Sequence, residues 1–161
     1  MESSAMKRSA LVVVFGTVAM LASTHARAQD GQPTIEGVWQ VTRHGVNCQT
    51  GQPVSTFPAL MTFHRDGTLH GDAVAPGSTA AGGTAEHGLW QREPGPHNYS
   101  FKDISYGWDT TGVFAGSTTV SGSLALTDSD TFVYSSTIQV FDNNGNLVAA
   151  HCGKATGVRF Q

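Results

Sequence analysis

The sequence predicts an all-β fold, and more specifically a closed antiparallel up-and-down barrel of about eight strands. Three observations support this prediction. Runs of alternating apolar and polar residues follow one another from Glu36 onward, no amphipathic helical pattern occurs beyond residue 28, and the two cysteines match pairing of the first strand with the last. A barrel that closes in this way leaves no exposed sheet edge.

Each predicted strand alternates in side-chain character and is bounded by residues that favour turns. The predicted strands cover residues 36–44, 58–65, 68–75, 86–93, 98–106, 112–127, 131–141 and 147–160. Three links contain Asp66-Gly67, Pro94-Gly95 and Asn144-Gly145, and such pairs close hairpins because they fix a turn or tolerate positive φ. Residues 45–57 and 73–85 are longer connections, the second made of small residues.

The residue numbers of the cysteines support closure of the barrel. Paired residues on two antiparallel strands have a nearly constant sum of numbers. Cys48 and Cys152 sum to 200, while Trp39 and Arg159 sum to 198. One register therefore brings the cysteines together and places Arg159 about two residues from Trp39, on the same face. A guanidinium at that position can stack on the indole through a cation–π contact.

The first 28 residues have the features of an export signal. Met6-Lys7-Arg8 is basic, residues 10–22 form an apolar run too short to span a bilayer, and Ala26-Arg27-Ala28 is an A-x-A cleavage site. The sequence therefore predicts an exported protein, in a bacterial periplasm or beyond, with one mature domain at residues 29–161. In that oxidising compartment, Cys48 and Cys152 are expected to form a disulfide.

The charge of the mature chain bears on its partners. Removal of 28 residues from 161 leaves 133, with 6 of the 9 Lys and Arg and 11 of the 12 Asp and Glu, a balance of −5. A sparse negative charge disfavours nucleic acid and anionic membrane surfaces as partners. No later segment is predicted to span a membrane, and the sequence gives no oligomeric state.

Gly37, Trp39 and Arg159 carry a resemblance to a known family. A Gly two residues before a Trp at the start of the first strand lets the ring pack against the backbone, and an Arg lies on the last strand. This combination resembles the lipocalin (calycin) barrels, and the strand layout is similar to secreted bacterial barrels of the allene-oxide-cyclase type. The resemblance implies structural roles for these three residues and an interior that binds a small hydrophobic molecule.

Alternation from Trp39 predicts which side chains point into the barrel. The predicted ligand-binding residues are Arg43, Phe63, Trp90, Tyr99, Phe101, Phe114 and Tyr134. Arg43, Asp103 and Tyr134 are the candidate catalytic residues, because acid–base catalysis needs polar groups in a cavity. The structural alternative is a buried ion pair between Asp103 and Arg43 that only holds strands together.

Other chemistries have little support in the sequence. The mature chain has six histidines, of which His64 and His70 flank one hairpin turn, but none of the usual zinc spacings occurs. The G-x-S-x-G nucleophile motif and a glycine-rich phosphate loop before a helix are both missing. No metal site and no cofactor are therefore predicted.

Three functions remain open at this point. The first is a barrel that binds a small apolar ligand in its interior without chemistry. The second is a cofactor-free cyclase or isomerase of the allene-oxide-cyclase type, which requires Arg43, Asp103 and Tyr134 to converge on a cavity. The third is a protein-interaction module with a filled barrel and an exposed apolar patch.

Overall fold

The computed structural model of the protein describes residues 33–74, 77 and 82–161. The predicted signal peptide, residues 1–28, lies outside these described residues. The strands are β1 (Gly37–Val46), β2 (Pro53–Phe63), β3 (Thr68–Ala73), β4 (Glu86–Arg92), β5 (Asn98–Trp108), β6 (Phe114–Leu126), β7 (Thr131–Asp142) and β8 (Leu147–Arg159). Each strand pairs antiparallel with the next, and β8 returns to β1, so the barrel is closed. The predicted fold class is confirmed.

The largest departure from the predicted boundaries is the start of β2. The sequence analysis assigned residues 45–57 to a connection, but β2 begins at Pro53 and β1 continues to Val46, which pairs with it. Val54, Thr56 and Phe57 are strand-forming residue types, and a proline is accepted at the first residue of a strand because its missing N–H breaks no ladder bond there.

The register between β1 and β8 differs slightly from the predicted one. Trp39 lies directly opposite Arg159, and Val46 lies opposite Cys152. The prediction that Arg159 lies two residues away from Trp39 was therefore wrong. The Cys48–Cys152 disulfide is confirmed, with a Cα–Cα distance of 5.2 Å. Cys48 lies beyond the last residue of β1 and bonds to Cys152 from a turn. The constant sum of residue numbers, which holds for paired strand residues, therefore does not apply to it.

One end of the barrel is filled by five aromatic side chains that we call the aromatic plug. Its members are Trp39, Phe63, Trp90, Tyr99 and Phe132. Neighbouring rings meet edge to face, with centroids 4.9 Å apart for Trp39 and Phe132 and 5.7 Å apart for Trp90 and Tyr99. This geometry suits the positive edge and negative face of aromatic rings. The plug leaves the opposite end of the barrel as the place where an interior cavity can form.

Arg159 secures the plugged end from outside. Its guanidinium carbon lies 4.2 Å from the centroid of the Trp39 ring. Its terminal nitrogens donate to the carbonyl oxygens of Glu36 and Thr34, each at 2.7 Å. Gly37 makes this approach possible, because a Cβ there would lie 2.7 Å from the guanidinium and its φ is +128°. Arg159 thus ties the first described segment to the last strand.

Among the residues that the structure describes, no helix is long and apolar enough to cross a membrane.

Candidate functional site

The open end of the barrel holds a cavity of about 220 Å³. Its inner wall is formed by Arg43, Ser55, Phe57, Val120, Tyr134, Ser136, Ile138 and Gly153. His44, His151 and Lys154 also line it. The wall is mainly apolar and includes a few polar side chains, among them Arg43, Tyr134 and Ser136. Such a lining is typical of sites for small organic molecules.

Arg43 and Glu86 form an ion pair inside the barrel. The two terminal nitrogens of Arg43 donate to the two carboxylate oxygens of Glu86 at 2.5 and 2.7 Å. Arg43 is 7% exposed, and both side chains of the pair are largely buried. Burial lowers the pKa of Arg43, but the hydrogen bonds and charge of Glu86 more than offset this and raise it. The guanidinium therefore stays charged, with a matched counter-charge.

Gly71 makes room for Glu86 on the neighbouring strand. A Cβ on Gly71 would fall 3.4 Å from the Cβ of Glu86 and would collide with one of its carboxylate oxygens. Because β3 carries no side chain at this position, the Glu86 carboxylate can lie against the backbone and face Arg43 across the barrel.

Asp103 is the second interior carboxylate, and it has no partner among the described residues. It is 2% exposed, and neither of its carboxylate oxygens accepts a hydrogen bond there. Burial, and secondly the charge of Glu86, raise its pKa to about 7, although the charge of Arg43 acts in the opposite direction. Near neutral pH, the side chain of Asp103 therefore exchanges between its neutral and its charged form.

Tyr134 completes the group of interior polar side chains. It is buried on β7, and its ring lies 5.1 Å from that of Phe101, centroid to centroid. Burial raises its pKa to about 12, while the charge of Arg43 lowers it. The phenol is therefore neutral at physiological pH and can donate or accept a hydrogen bond.

The structure brings together all three candidate catalytic residues, but their pairing differs from the predicted one. The sequence analysis expected any buried ion pair to join Asp103 and Arg43. Arg43 instead binds Glu86. Asp103 forms no hydrogen bond with either side chain, but it lies close enough for both of their charges to shift its pKa. The Glu86 carboxylate occupies both terminal nitrogens of Arg43 in bidentate fashion.

The predicted ligand-binding residues divide between the two ends of the barrel. Arg43 and Tyr134 line the cavity. Phe63, Trp90 and Tyr99 belong to the aromatic plug. Phe101 lies between the two groups, since its ring contacts Tyr134 and it is itself buried.

Phe114 was predicted to face inward, and the structure shows that this was wrong. It is 42% exposed and packs against Tyr106 on the outside of the barrel. A β-bulge explains the change, because the pairing moves from Gly116 opposite Gly107 to Phe114 opposite Trp108. The extra residue shifts the inward–outward alternation at the start of β6.

Glu86 is the site residue that the sequence analysis did not select. A signal was present, because Glu86 has the same parity in β4 as the inward Trp90. Its role as the partner of Arg43 follows only from the closed barrel, in which β1 and β4 face each other across the interior.

The histidines do not form the pair that their sequence positions suggested. The ring of His70 stacks on that of His87, on the adjacent strand, with centroids 4.9 Å apart. His64 lies at the turn after β2. Within the described ranges, no group of three or more His, Cys, Asp or Glu side chains is placed to hold a metal ion.

Comparisons with known proteins identify a structure of similar fold but no matching family. No protein-family model matches the chain, and no curated protein matches it. A solved structure, EF1p2_mFAP2b bound to DFHBI, is similar with a TM-score of 0.54 at 14% sequence identity, and the match covers 78% of this chain and 93% of that one. This similarity is consistent with the closed eight-stranded barrel and extends no further than the fold.

Proposed function

We propose that this protein binds a small, largely apolar molecule in the open end of its barrel, without chemical conversion. The apolar part of the molecule lies against Phe57, Val120 and Ile138. Its polar end points toward Arg43 and Tyr134. The aromatic plug fills the opposite end of the barrel.

The observation that carries the proposal is the cavity itself. It is a concave, mainly apolar space of about 220 Å³, with a few polar groups at one end, as in sites that orient a small ligand. The volume is below the roughly 300–1,000 Å³ of pockets for drug-sized ligands. We therefore expect a molecule of one or two rings.

Two further points support the proposal. A barrel of this fold can hold a small molecule, since the similar solved structure is EF1p2_mFAP2b bound to DFHBI. The disulfide between Cys48 and Cys152 is what an exported protein would carry. We accordingly propose that the ligand is met outside the cytoplasm, after removal of residues 1–28.

One observation favours a second candidate, a cofactor-free cyclase or isomerase. Asp103 is buried, unpaired among the described residues and close to a pKa of 7, which suits a general acid or base. Asp103 is not among the described residues that line the cavity, however, so a bound molecule would meet Arg43 and Tyr134 first. This arrangement favours binding over catalysis.

The proposal can be tested by native mass spectrometry of the mature protein purified from its own host. Binding predicts a retained small molecule that is released on mild denaturation. Ser136→Phe places a large ring in the cavity, because Ser136 lines it. Ser135→Phe is the matched control, since Ser135 is exposed on the outer face of the same strand.

We expect the Ser136→Phe protein to lose the molecule and the Ser135→Phe protein to keep it. Retention by Ser136→Phe would place the ligand elsewhere, for example in an outer groove along Leu60, Val74 and Val158. A wild-type mass without any ligand would favour the interaction-module function. Slow conversion of the retained molecule by wild type, lost in Asp103→Asn, would favour the cyclase.

A further inference from the structure

We infer that the interior site selects neutral molecules and rejects carboxylates, so that its ligand carries an uncharged polar end such as an amide, ketone or hydroxyl. This inference rests on the proposed function and specifies its ligand class.

The first step concerns Arg43, a buried cation among the described residues that line the cavity. A buried arginine at the base of an apolar cavity would ordinarily indicate a carboxylate ligand. Here both terminal nitrogens of Arg43 are already occupied by Glu86, at 2.5 and 2.7 Å. Bidentate pairing occupies the end of the guanidinium fork and balances its charge with that of Glu86. Two of the five N–H donors of Arg43 are used in this way, and Nε is a further buried donor without a partner among the described residues.

The second step is the net charge of the interior. Arg43 and Glu86 cancel, and Tyr134 is neutral because burial raises its pKa to about 12. Asp103 contributes either no charge or one negative charge. The buried side chains Arg43, Glu86, Asp103 and Tyr134 therefore carry a total charge that is zero or negative. An anionic guest would lose its hydration without gaining a counter-charge, and this is costly in a low-dielectric site.

The third step is the remainder of the wall. Phe57, Val120 and Ile138 are apolar, and Ser55 and Ser136 offer neutral hydroxyl groups. Single donors and acceptors of this kind pair well with a neutral polar group. Lys154 also lines the cavity, but it is exposed, so water and salt screen its charge.

The test uses two matched pairs of probes, benzamide with benzoate and 2-naphthamide with 2-naphthoate. Within each pair, size and shape are nearly equal and only the charge differs. Binding to the wild-type mature protein is measured by isothermal titration calorimetry and ligand-observed NMR at pH 7.5. We expect the amide to bind at least about tenfold more tightly than its carboxylate.

A charge variant reverses the expectation. Glu86→Gln combined with Asp103→Asn leaves Arg43 as an uncompensated cation, so the carboxylate should now bind at least about tenfold more tightly than the amide. Both substitutions are needed, because Asp103 could otherwise neutralise Arg43. Asp72→Asn is the control, since it removes an exposed negative charge and should leave the preference unchanged.

The outcomes separate the inference from the function on which it rests. Equal or tighter binding of the carboxylate to wild type would overturn the charge argument while supporting the pocket. Binding of neither member of both pairs would overturn the pocket, and the inference with it. If the double variant does not fold, the wild-type comparison alone decides.

Discussion

Replacement of Asp103 by Asn should make the protein more stable at alkaline pH and leave its stability nearly unchanged in acid. Asp103 is a buried carboxyl whose oxygens have no hydrogen-bond partner among the described residues. Asn has almost the same shape as a protonated Asp and cannot ionise. The substitution therefore removes the charge of Asp103 and little else.

The magnitude follows from the pKa. Burial, and then the charge of Glu86, raise the pKa of Asp103 from 3.8 to about 7 in the folded protein. Because the folded state holds the proton of Asp103 more tightly, the contribution of this group to stability is greatest below its unfolded pKa and falls as the pH rises toward 7. The full difference corresponds to about 4 kcal/mol, of which about 3 kcal/mol falls between pH 4.5 and 8. Such a change is a large part of the roughly 5–15 kcal/mol that stabilises a domain.

The assay is guanidinium chloride unfolding of the mature, disulfide-intact protein at several values of pH from 4.5 to 8.5. The free energy of unfolding of Asp103→Asn, minus that of wild type, should rise by about 3 kcal/mol across this range. Side-chain hydrogen bonds lower the pKa of several other carboxyls, namely Asp66, Glu93, Asp109, Asp128 and Asp142. Those groups are the same in both proteins, so their contributions cancel in the difference.

A difference in unfolding free energy that stays constant from pH 4.5 to 8.5 would refute the reasoning. It would mean that the folded protein provides Asp103 with an environment equivalent to water. NMR titration of the Asp103 carboxyl carbon offers an independent check, with a midpoint expected near pH 7 rather than near 4.

Three other predictions concern stability and are measured by the same unfolding assay. Arg159→Met should cost about 2–4 kcal/mol, because it removes hydrogen bonds to the two part-buried carbonyls of Glu36 and Thr34 and the cation–π contact with Trp39. An unchanged midpoint would contradict its role at the plugged end. Cys48→Ser with Cys152→Ser should cost about 4–5 kcal/mol, because the disulfide spans 104 residues; a loss below 1 kcal/mol would mean that the reduced chain stays equally constrained. Gly157→Ala should cost about 1–3 kcal/mol or more, because its Cβ would overlap the ring of Phe132. Gly107→Ala is the control and should cost less than about 1 kcal/mol, because no atom lies closer than 3.6 Å to the new Cβ. Equal losses of stability would contradict the packing argument.

Much of the fold was predictable because its signals are local. Alternation of period two and the turn pairs, such as Asp66-Gly67 and Asn144-Gly145, gave eight strands near their observed positions. The residue numbers of Trp39 and Arg159 also indicated barrel closure, and these two residues pair directly. The exact register between β1 and β8 could not be predicted from the cysteines. Cys48 lies outside the paired residues of these strands, so its number does not fix their register.

The site was predictable only in part, for a related reason. Alternation correctly identified Arg43, Asp103 and Tyr134 as inward side chains. It failed at Phe114, because one bulge reverses the faces of a strand and leaves no clear mark in the sequence. It could not divide the inward aromatic residues between the plug and the cavity either, since this depends on their height along the barrel axis.

The sequence by itself therefore determined the strands, their order and most of the residues that face inward, because these properties depend on neighbours along the chain. The tertiary structure alone decided that Arg43 pairs with Glu86 and leaves Asp103 without a partner. Arg43 on β1 meets Glu86 on β4 and Asp103 on β5 only across the closed interior, whereas β4 and β5 are neighbours in the sheet. Which carboxylate the guanidinium binds depends on distances through space, and sequence spacing does not encode those distances.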